Sequence, residues 1–387
     1  MRIALLSWES VHSIYVGGIA SHVSELACSL SKKGHEVHIF TRMGRHDHDQ
    51  YEFIDGVHYH RCPFDGHTDF IEEVNNMCRA FVNTVFHTED YMGAAFDIIH
   101  AHDWLTANAM TWIKNGRGRK CVFTIHSTEY GRCGNNFFGG QSEKVSQIEW
   151  SGTYHADKVI AVSGALKNET QWIYSLPDWK ISAIYNGISY WNHDGWISPG
   201  AVKNEYGIGD MDPMVLFAGR MAYQKGPDIL MEAIPHVLNY HGNAKFVFAG
   251  EGNMRSEVEA RSHQLGVSHS TRFLGHQGGQ TLSNLFKACD CVCVPSRNEP
   301  FGIVILEAWS SGKPVVATKN GGPSEIVWHD VTGYQIDANP ESVAWGVGTL
   351  FNNFEHARWM GSNGRVAAET VFSWDTIADQ TLEVYQS

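Results

Sequence analysis

Residues 290–317 read DCVCVPSRNEPFGIVILEAWSSGKPVVA and carry the pattern that decides the fold. Two short apolar runs, at 290–294 and 314–317, are rich in Val, which is typical of strands buried on both faces of a sheet. Between them, residues 301–311 have the length and composition of a helix. A strand, a helix and a second strand in close succession predict a parallel sheet covered by helices.

The same alternation runs through most of the chain and restarts once. Before residue 186, strands are predicted at 2–6, 37–41, 96–100, 121–125 and 159–162; after residue 212, at 214–218, 245–249, 272–274, 290–294 and 314–317. Residues 186–212 are rich in Gly, Asn, Asp, Trp and Pro without a clear period, so we place the domain joint there. We predict an α/β protein with doubly wound, Rossmann-like domains at 1–190 and 191–370. We predict a C-terminal helix at 371–387. The sequence leaves open whether this helix packs on the second domain or crosses back to the first.

Length and charge limit the classes of function. The 387 residues suffice for about two domains, and a formal net charge of −13 would repel a polyphosphate backbone, which excludes nucleic acid as a partner. The apolar start is too short for a secretion signal, and no stretch approaches the roughly 20 apolar residues that span a bilayer. Eight cysteines without a Cys-x-x-Cys pair indicate free thiols. We expect a cytoplasmic protein without membrane contact, and binding at a membrane surface stays as an alternative.

Polar residues follow the predicted strands of the first domain, at the edge where parallel sheets bind ligands. Gly17 and Gly18 follow the first strand, and paired glycines let a backbone approach a ligand at a helix start. The sequence HAHDW at 100–104 follows a second strand, and HSTEY at 126–130 follows a third. Imidazoles and carboxylates at several strand ends indicate a shared polar pocket.

Two cations and two carboxylates lie at the corresponding edge of the second domain. Arg220 and Lys225 lie on a glycine-bounded loop before a helix, which is an arrangement suited to a diphosphate. Glu299 lies in a loop and Glu307 about two helical turns further on, so the carboxylates are up to roughly 12 Å apart and would contact different parts of one ligand. The helix start would add the free N–H groups of Phe301, Gly302 and Ile303.

These motifs resemble the retaining glycosyltransferases of the GT-B fold, specifically glycosyltransferase family 4 and the related glycogen and starch synthases. Residues 299–307 look like the Glu-x7-Glu signature of that group, and the loop at 220–225 looks like its diphosphate clamp. The resemblance covers nearly the whole chain and implies the GT-B architecture, with two Rossmann-like domains facing a central cleft. Other matching segments are Gly17-Gly18, residues 100–104, 124–126, 162–163, 186–188, 250–252 and 321–326.

The resemblance implies donor-binding roles for residues of both domains. Arg220 and Lys225 would neutralise the diphosphate of a nucleotide sugar, with a backbone contact from Gly18. Glu307 would bind the ribose, and the segment that contains His276 would lie along the base.

The resemblance also implies how the donor sugar is held and transferred. Glu299 and the backbone of residues 301–303 would hold the sugar hydroxyls, and His126 would lie near the C6 hydroxyl and the reacting carbon. The leaving diphosphate would take the proton of the acceptor, and neither a metal ion nor another cofactor would be required. The implied catalytic set is His126, Glu299, Arg220 and Lys225.

The first domain is implied to bind a carbohydrate acceptor. Residues 100–104 look like the corresponding segment of glycogen synthases, which favours glucose as the transferred unit and a glucan as acceptor. The Lys-x-Gly-Gly element of those enzymes is absent, since Tyr15 and Val16 precede Gly17, so UDP-glucose is the first candidate donor and ADP-glucose the second. Residues 129–140 are interpreted as a mobile acceptor-side loop. The acceptor-binding residues are then His102, Asp103, Glu129, Tyr130 and Arg132.

Several alternatives stay open. The acceptor could be a lipid-linked or cell-envelope polysaccharide, a small sugar or a sugar phosphate, and a GT-B sugar-nucleotide epimerase would share the architecture. The chain could form a homo-oligomer. Asp210-Met-Asp212 matches the metal-binding motif of another transferase fold, but it precedes a strand within the joint, so we predict no metal site.

Overall fold

The computed structural model describes residues 1–15, 17–44 and 48–387, so Val16 of the predicted glycine segment lies outside the described residues. The chain divides into two compact units, one made of Met1–Gly187 with Trp374–Ser387 and the other of Ile188–Ser373. The sequence places the joints at 190/191 and 370/371, each three residues from the observed division.

The first unit is built on one sheet, which is parallel except at one edge. In the described part of the chain it has eight strands in the order β3-β4-β2-β1-β5-β6-β7-β8, and β3 alone runs antiparallel, to β4. The strands are β1 Arg2–Ser7, β2 Glu36–Arg42, β3 Tyr51–Ile54, β4 Val57–Cys62, β5 Ile98–His102, β6 Lys120–Ile125, β7 Lys158–Ala161 and β8 Ile181–Ala183.

Helices alternate with these strands. Asp69 caps the longest of them, α2, by accepting the N–H of Ile71 at 2.8 Å, and Gly93 ends it in the left-handed region at φ 64°. The helices are α1 Gly18–Lys32, α2 Phe70–Met92, α3 Trp104–Arg117, α4 Glu129–Arg132, α5 Gln141–His155 and α6 Gly164–Tyr174, with a 3₁₀ turn at Asp178–Lys180.

The hairpin of β3 and β4 was not predicted. Its turn is Asp55-Gly56, both at positive φ, and an Asp-Gly pair is a hairpin signal in the sequence. The strand β4 reads VHYHRC and is largely buried, although its sequence contains several polar residue types. Burial lowers the pKa of His60 to about 3, so the ring is neutral and stacks on Phe40 with centroids 4.5 Å apart.

The second unit contains an all-parallel sheet. Its strand order is β11-β10-β9-β12-β13-β14. The observed strands are β9 Met214–Ala218, β10 Lys245–Ala249, β11 Thr271–Gly275, β12 Cys291–Val294, β13 Val315–Thr318 and β14 Gly333–Ile336. The last of these was not predicted.

The helices of the second unit begin mostly at glycine, proline or a polar cap. Pro227 opens the helix at 227–238, as predicted, because its fixed φ suits the first helical position. The helices are α7 Pro199–Glu205, α8 Pro227–Leu238, α9 Arg255–Gln264, α10 Gly279–Ala288, α11 Ile303–Ser310, α12 Pro323–Ile326, α13 Pro340–Asn352 and α14 Phe354–Thr370. Further 3₁₀ turns lie at Tyr190–His193, Tyr223–Lys225 and Ser268–Ser270.

The C-terminal helix, α15 Trp374–Gln386, belongs to the first unit. Its side chains Trp374, Ile377 and Tyr385 are part of the same core cluster as β1, β2 and α1. Gly187 faces Trp374 so closely that a Cβ there would lie 2.5 Å from the indole. The Tyr385 hydroxyl and His100 Nδ1 are 2.7 Å apart.

Candidate active site

A buried ion pair joins two loops of the second unit. Lys225 Nζ donates to both carboxylate oxygens of Glu299, at 2.9 and 2.8 Å, and Ser296 Oγ donates to one of them at 3.0 Å. The Glu299 side chain is 6% exposed and that of Lys225 is 26% exposed. A buried carboxylate without a cation would be costly, so Lys225 stabilises Glu299 while part of its own surface faces solvent.

The backbone of Glu299 is fixed by a close approach of glycines. Its carbonyl accepts the N–H of Gly322 at 2.8 Å, and its own N–H donates to Asn320 O at 3.3 Å. Gly321 has φ 86°, and a Cβ there would lie 2.1 Å from the Glu299 carbonyl oxygen. Glycine is therefore required at 321 for Glu299 to lie where it does.

Arg220 lies on the loop that follows β9, and its side chain is exposed. Its guanidinium donates to Gln224 Oε1 at 3.4 Å, and Gln224 O accepts the N–H of Arg297 at 2.8 Å. These contacts tie the loop of Arg220 and Lys225 to the loop of Glu299. The exposed guanidinium leaves donors open to an anion.

Helix α11 begins at Ile303, two residues later than predicted. Gly302 precedes it at φ 98°, in the left-handed region, and Phe301 lies before the helix with only 2% of its surface exposed. The predicted helical N–H of Phe301 is therefore not part of the helix, while Ile303 opens the first turn. Glu307 lies just over one turn into α11, which corrects the prediction of two turns.

Glu307 is partly buried, and among the residues described no hydrogen bond or ion pair engages its carboxyl group. Desolvation raises the pKa of Glu307 to about 7. Hydroxyl donors of a bound ligand would supply the hydrogen bonds that favour the ionised carboxylate. The geometry is thus compatible with the predicted contact to a ribose.

We expect the substitution Glu307→Gln to change the pH dependence of stability. The pKa of Glu307 is about 7 in the folded protein and 4.5 without burial, so the wild type loses stability as pH rises from about 4.5 to 7. The variant does not titrate. The difference in unfolding free energy should shift by about 3 kcal/mol between pH 4 and pH 8, in favour of the variant. Urea unfolding without donor measures this, with exposed Glu259→Gln as control; a constant difference would contradict it.

His276 follows β11, at the edge of the second sheet, and its side chain is exposed. It lies two strands from β9, whose loop carries Arg220. The structure places it at the carboxyl end of the sheet, and its contact with a base stays a prediction.

In the first unit, Gly18 is the first residue of α1. The N–H of Gly17 donates to Glu9 Oε2 at 2.8 Å, and Glu9 is 4% exposed. Sequence reasoning did not assign Glu9, whose carboxylate anchors the glycine turn.

His126, His102 and Asp103 come together at adjacent strand ends. Asp103 Oδ1 accepts the backbone N–H of His126 at 2.9 Å, and His102 Nδ1 lies 3.2 Å from His126 Nε2. His102 is the last residue of β5, because that strand covers 98–102 rather than the predicted 96–100. Desolvation lowers the pKa of His126 to about 3, so its imidazole is neutral near pH 7.

Arg132 is held inside a network of acidic side chains. Its guanidinium donates to Glu129 at 3.0 Å, to Ser127 Oγ at 2.7 Å and to Glu149. Burial acts to lower the pKa of Arg132, but Glu149, followed by other carboxylates, raises it above its usual range. All three guanidinium nitrogens have partners, so the structure gives Arg132 a role in positioning α4, and acceptor contact stays a prediction.

Glu149 was missed by sequence reasoning. It lies on α5 among the buried positions Val145, Gly152 and Thr153, so a charged residue on the buried face was the available signal. Desolvation raises the pKa of Glu149 against the opposing effect of Arg132.

Tyr130 lies in an aromatic group on the first unit. Its ring centroid is 4.8 Å from that of Phe137 and 5.4 Å from that of Trp172, and the latter two are more than half exposed. The predicted loop at 129–140 begins as the short helix α4, capped by Thr128. Exposed rings of this kind can stack on sugars, which is compatible with the predicted acceptor side.

Two family models match the chain, one on each part. Residues 16–190 match the model described as Glycosyltransferase Family 4, and residues 201–367 match the model described as Glycosyl transferases group 1. In the described part of the chain, no helix combines the length and apolar character needed to cross a bilayer.

Curated relatives align over the whole chain. A protein of Methanocaldococcus jannaschii named an uncharacterized glycosyltransferase is 38% identical, over 100% of this chain and 98% of its own. The glycogen synthase of Mycobacterium tuberculosis is 29% identical over 100% and 94%. The D-inositol 3-phosphate glycosyltransferase of Segniliparus rotundus is 28% identical over 100% and 89%.

Solved structures show the same fold at lower identity. Sucrose-phosphate synthase of Thermosynechococcus elongatus has a TM-score of 0.84 at 21% identity, covering 100% of this chain and 98% of its own. Starch synthase IV of Arabidopsis thaliana, bound to ADP and acarbose, has a TM-score of 0.77 at 19% identity, covering 100% and 98%. The two sheets therefore correspond to the Rossmann-like domains of the GT-B fold. The chain belongs to the GT-B glycosyltransferases of family 4, is a hexosyltransferase, and resembles the glycogen and starch synthases.

Proposed function

We propose that this hexosyltransferase transfers glucose, with retention of configuration, from UDP-glucose or ADP-glucose to a carbohydrate acceptor. The observation that carries the proposal is the Lys225–Glu299 pair, with its two hydrogen bonds of 2.9 and 2.8 Å and with Lys225 on the loop that also carries the exposed Arg220. A glucan is the favoured acceptor because the chain resembles glycogen synthase along its whole length.

The charges of the second unit suit the departure of a diphosphate. In the transfer, the bond between the sugar C1 and the diphosphate oxygen breaks, and its electron pair leaves with that oxygen. The acceptor oxygen forms the new bond to C1 from the same face, and its proton passes to the leaving diphosphate. Negative charge grows on the diphosphate, so Arg220 and Lys225 stabilise the transition state more than the ground state.

Glu299 acts on the sugar rather than on the diphosphate. With Lys225 and Ser296 bound to it, the Glu299 carboxylate is fixed in place and can accept hydrogen bonds from sugar hydroxyls. His126 is neutral near pH 7 because its pKa is lowered to about 3, so it serves as a hydrogen-bonding partner of a hydroxyl and not as an acid. No side chain is assigned as a nucleophile.

Metal independence is part of the proposal. The cationic groups of Arg220 and Lys225 supply the charge that a divalent ion supplies in other transferases. We also place the protein in the cytoplasm, since all eight cysteines are free.

A second acceptor class is favoured by the relatives. One relative is named for transfer to D-inositol 3-phosphate, and a structural neighbour is named sucrose-phosphate synthase. A sugar phosphate is therefore the alternative acceptor, and a lipid-linked or cell-envelope polysaccharide is a third. The remote alternative to a transferase is a sugar-nucleotide epimerase.

The test is a matrix of donors and acceptors. Purified protein is incubated with each common nucleotide sugar and with maltooligosaccharides, sugar phosphates, inositol phosphate or lipid-linked sugars, all in the presence of a chelator. We expect UDP or ADP release and chain-extended oligosaccharides, with an α-anomeric proton in the NMR spectrum of the product. If only a sugar phosphate is glycosylated, the proposal of a glucan acceptor is wrong and the acceptor is a sugar phosphate. A β-linked product would overturn retention, and dependence on added metal would overturn metal independence.

A further inference from the structure

Three histidines from different elements of the first unit meet at one point. His22 lies on α1, His102 ends β5, and His126 follows β6. One ring nitrogen from each lies within 4.8 Å of the others. The strands β1, β5 and β6 are neighbours in the sheet, so their carboxyl ends and the start of α1 bring the three rings together.

Two of these rings have ring nitrogens without a partner. His22 is 5% exposed and His102 is 1% exposed, and the Nε2 atoms of both are buried without a hydrogen bond among the described residues. Buried polar atoms are nearly always satisfied, so the orphaned nitrogen of His22, beside two further imidazoles, calls for a ligand that accepts an electron pair there.

The hydrogen bonds around His22 prepare it to bind a cation. Its Nδ1 lies 2.8 Å from Asn186 Oδ1, and an amide oxygen only accepts, so the proton is on Nδ1. The lone pair is then on the orphaned Nε2. Metal-binding histidines show this arrangement, in which the second nitrogen donates to a protein oxygen and fixes the tautomer.

The spacing of the other two rings also suits a shared ion. His102 Nδ1 and His126 Nε2 are 3.2 Å apart, so one ring can donate a hydrogen bond to the other when no ion is bound. The same separation is close to the roughly 3.4 Å expected between two nitrogens on one tetrahedral ion at about 2.1 Å. In that arrangement His102 binds through Nδ1, and its Nε2 carries the proton. The Asp103 carboxylate holds the backbone of His126 in place. Three neutral imidazoles without a carboxylate ligand suit a borderline transition metal rather than Mg²⁺ or Ca²⁺.

We propose that His22, His102 and His126 form a binding site for a divalent transition metal ion such as Zn²⁺, with its fourth position open. The ion is not required for transfer. It engages the imidazole of His126, so, if the proposed function holds, bound metal inhibits the transferase reversibly.

The site is tested by titrating the metal-free full-length protein with Co²⁺, whose visible ligand-field bands are intense when the ion is tetrahedral. We expect one saturable site in the wild type. The variants His22→Gln and His102→Asn should each bind at least about 100-fold more weakly. The control His87→Gln removes an exposed histidine of α2 and should bind as the wild type does. Competition by Zn²⁺ should bleach the cobalt spectrum.

The outcomes separate this proposal from the proposed function, because the optical titration needs neither donor nor acceptor. Absence of saturable binding in the wild type, or equal binding by a folded His22→Gln, would overturn the site. Circular dichroism and melting temperature establish that each variant is folded, and His126→Gln replaces any variant that is not. Zn²⁺ should also raise the melting temperature of the wild type and not of His22→Gln.

Discussion

Replacement of Lys225 by alanine is expected to lower kcat/KM for the donor by about 10²- to 10³-fold. The substitution removes a cation that would face the leaving diphosphate. It also removes two of the three hydrogen bonds that fix the Glu299 carboxylate, and leaves the one from Ser296. Two contributions to the transition state are therefore lost at once. Initial rates of nucleotide release over a range of donor concentrations measure the effect.

Lys319→Ala is the matched control for Lys225. Lys319 lies in the same unit and pairs with Asp337 at 2.8 Å, but both side chains are more than half exposed. A surface pair of this kind contributes little, so activity and stability should stay near those of the wild type. If Lys225→Ala retains activity within threefold of Lys319→Ala, the diphosphate role of Lys225 is wrong.

We expect Gly321→Ala to abolish donor binding and to destabilise the second unit by about 3 kcal/mol. The new Cβ would lie 2.1 Å from the Glu299 carbonyl oxygen, so the backbone of Glu299 has to move. The substitution also forces alanine into the left-handed region, at φ 86°. Calorimetric titration with UDP or ADP and urea unfolding measure the two effects.

Gly312→Ala is the control that separates two effects of Gly321→Ala: the unfavourable backbone conformation and the collision of the new Cβ with Glu299. Gly312 has φ 68°, but a Cβ there would meet no atom within 4 Å. It should cost only about 1 kcal/mol, the penalty of the left-handed region, and leave donor binding unchanged. If Gly312→Ala and Gly321→Ala changed stability and donor binding equally, the close approach of Gly321 to the Glu299 carbonyl would be unimportant.

Most of the parallel strands could be predicted because their side chains are apolar on both faces, but the short strands β8 and β14 were not predicted. The runs at β9 and β10 have the predicted bounds of Met214–Ala218 and Lys245–Ala249. The strand β4 could not be found in this way, because its histidines are buried as neutral aromatic rings, and periodicity treats them as polar. For the same reason, β5 was predicted two residues too early, because the strand ends in buried His100 and His102.

For the candidate site residues, the position in the fold could be predicted from the sequence more readily than the contacts. Arg220 and Lys225 follow β9 and Glu299 follows β12, which are the positions that the sequence predicts for them. The ion pair between Lys225 and Glu299 joins residues 74 positions apart, and spacing along a chain does not reveal such a partner. Glu9 and Glu149 were missed because each acts through a contact outside its own element, to Gly17 eight positions away and to Arg132 17 positions away.

The return of α15 to the first unit bears on the order in which the chain folds as it leaves the ribosome. Residues 1–187 emerge first, but Trp374, Ile377 and Tyr385, which complete their core, are translated only after the whole second unit. The apolar strip that receives this helix must stay uncovered during that interval. The first unit can therefore complete its core only after the second unit has been translated and α15 has left the ribosome.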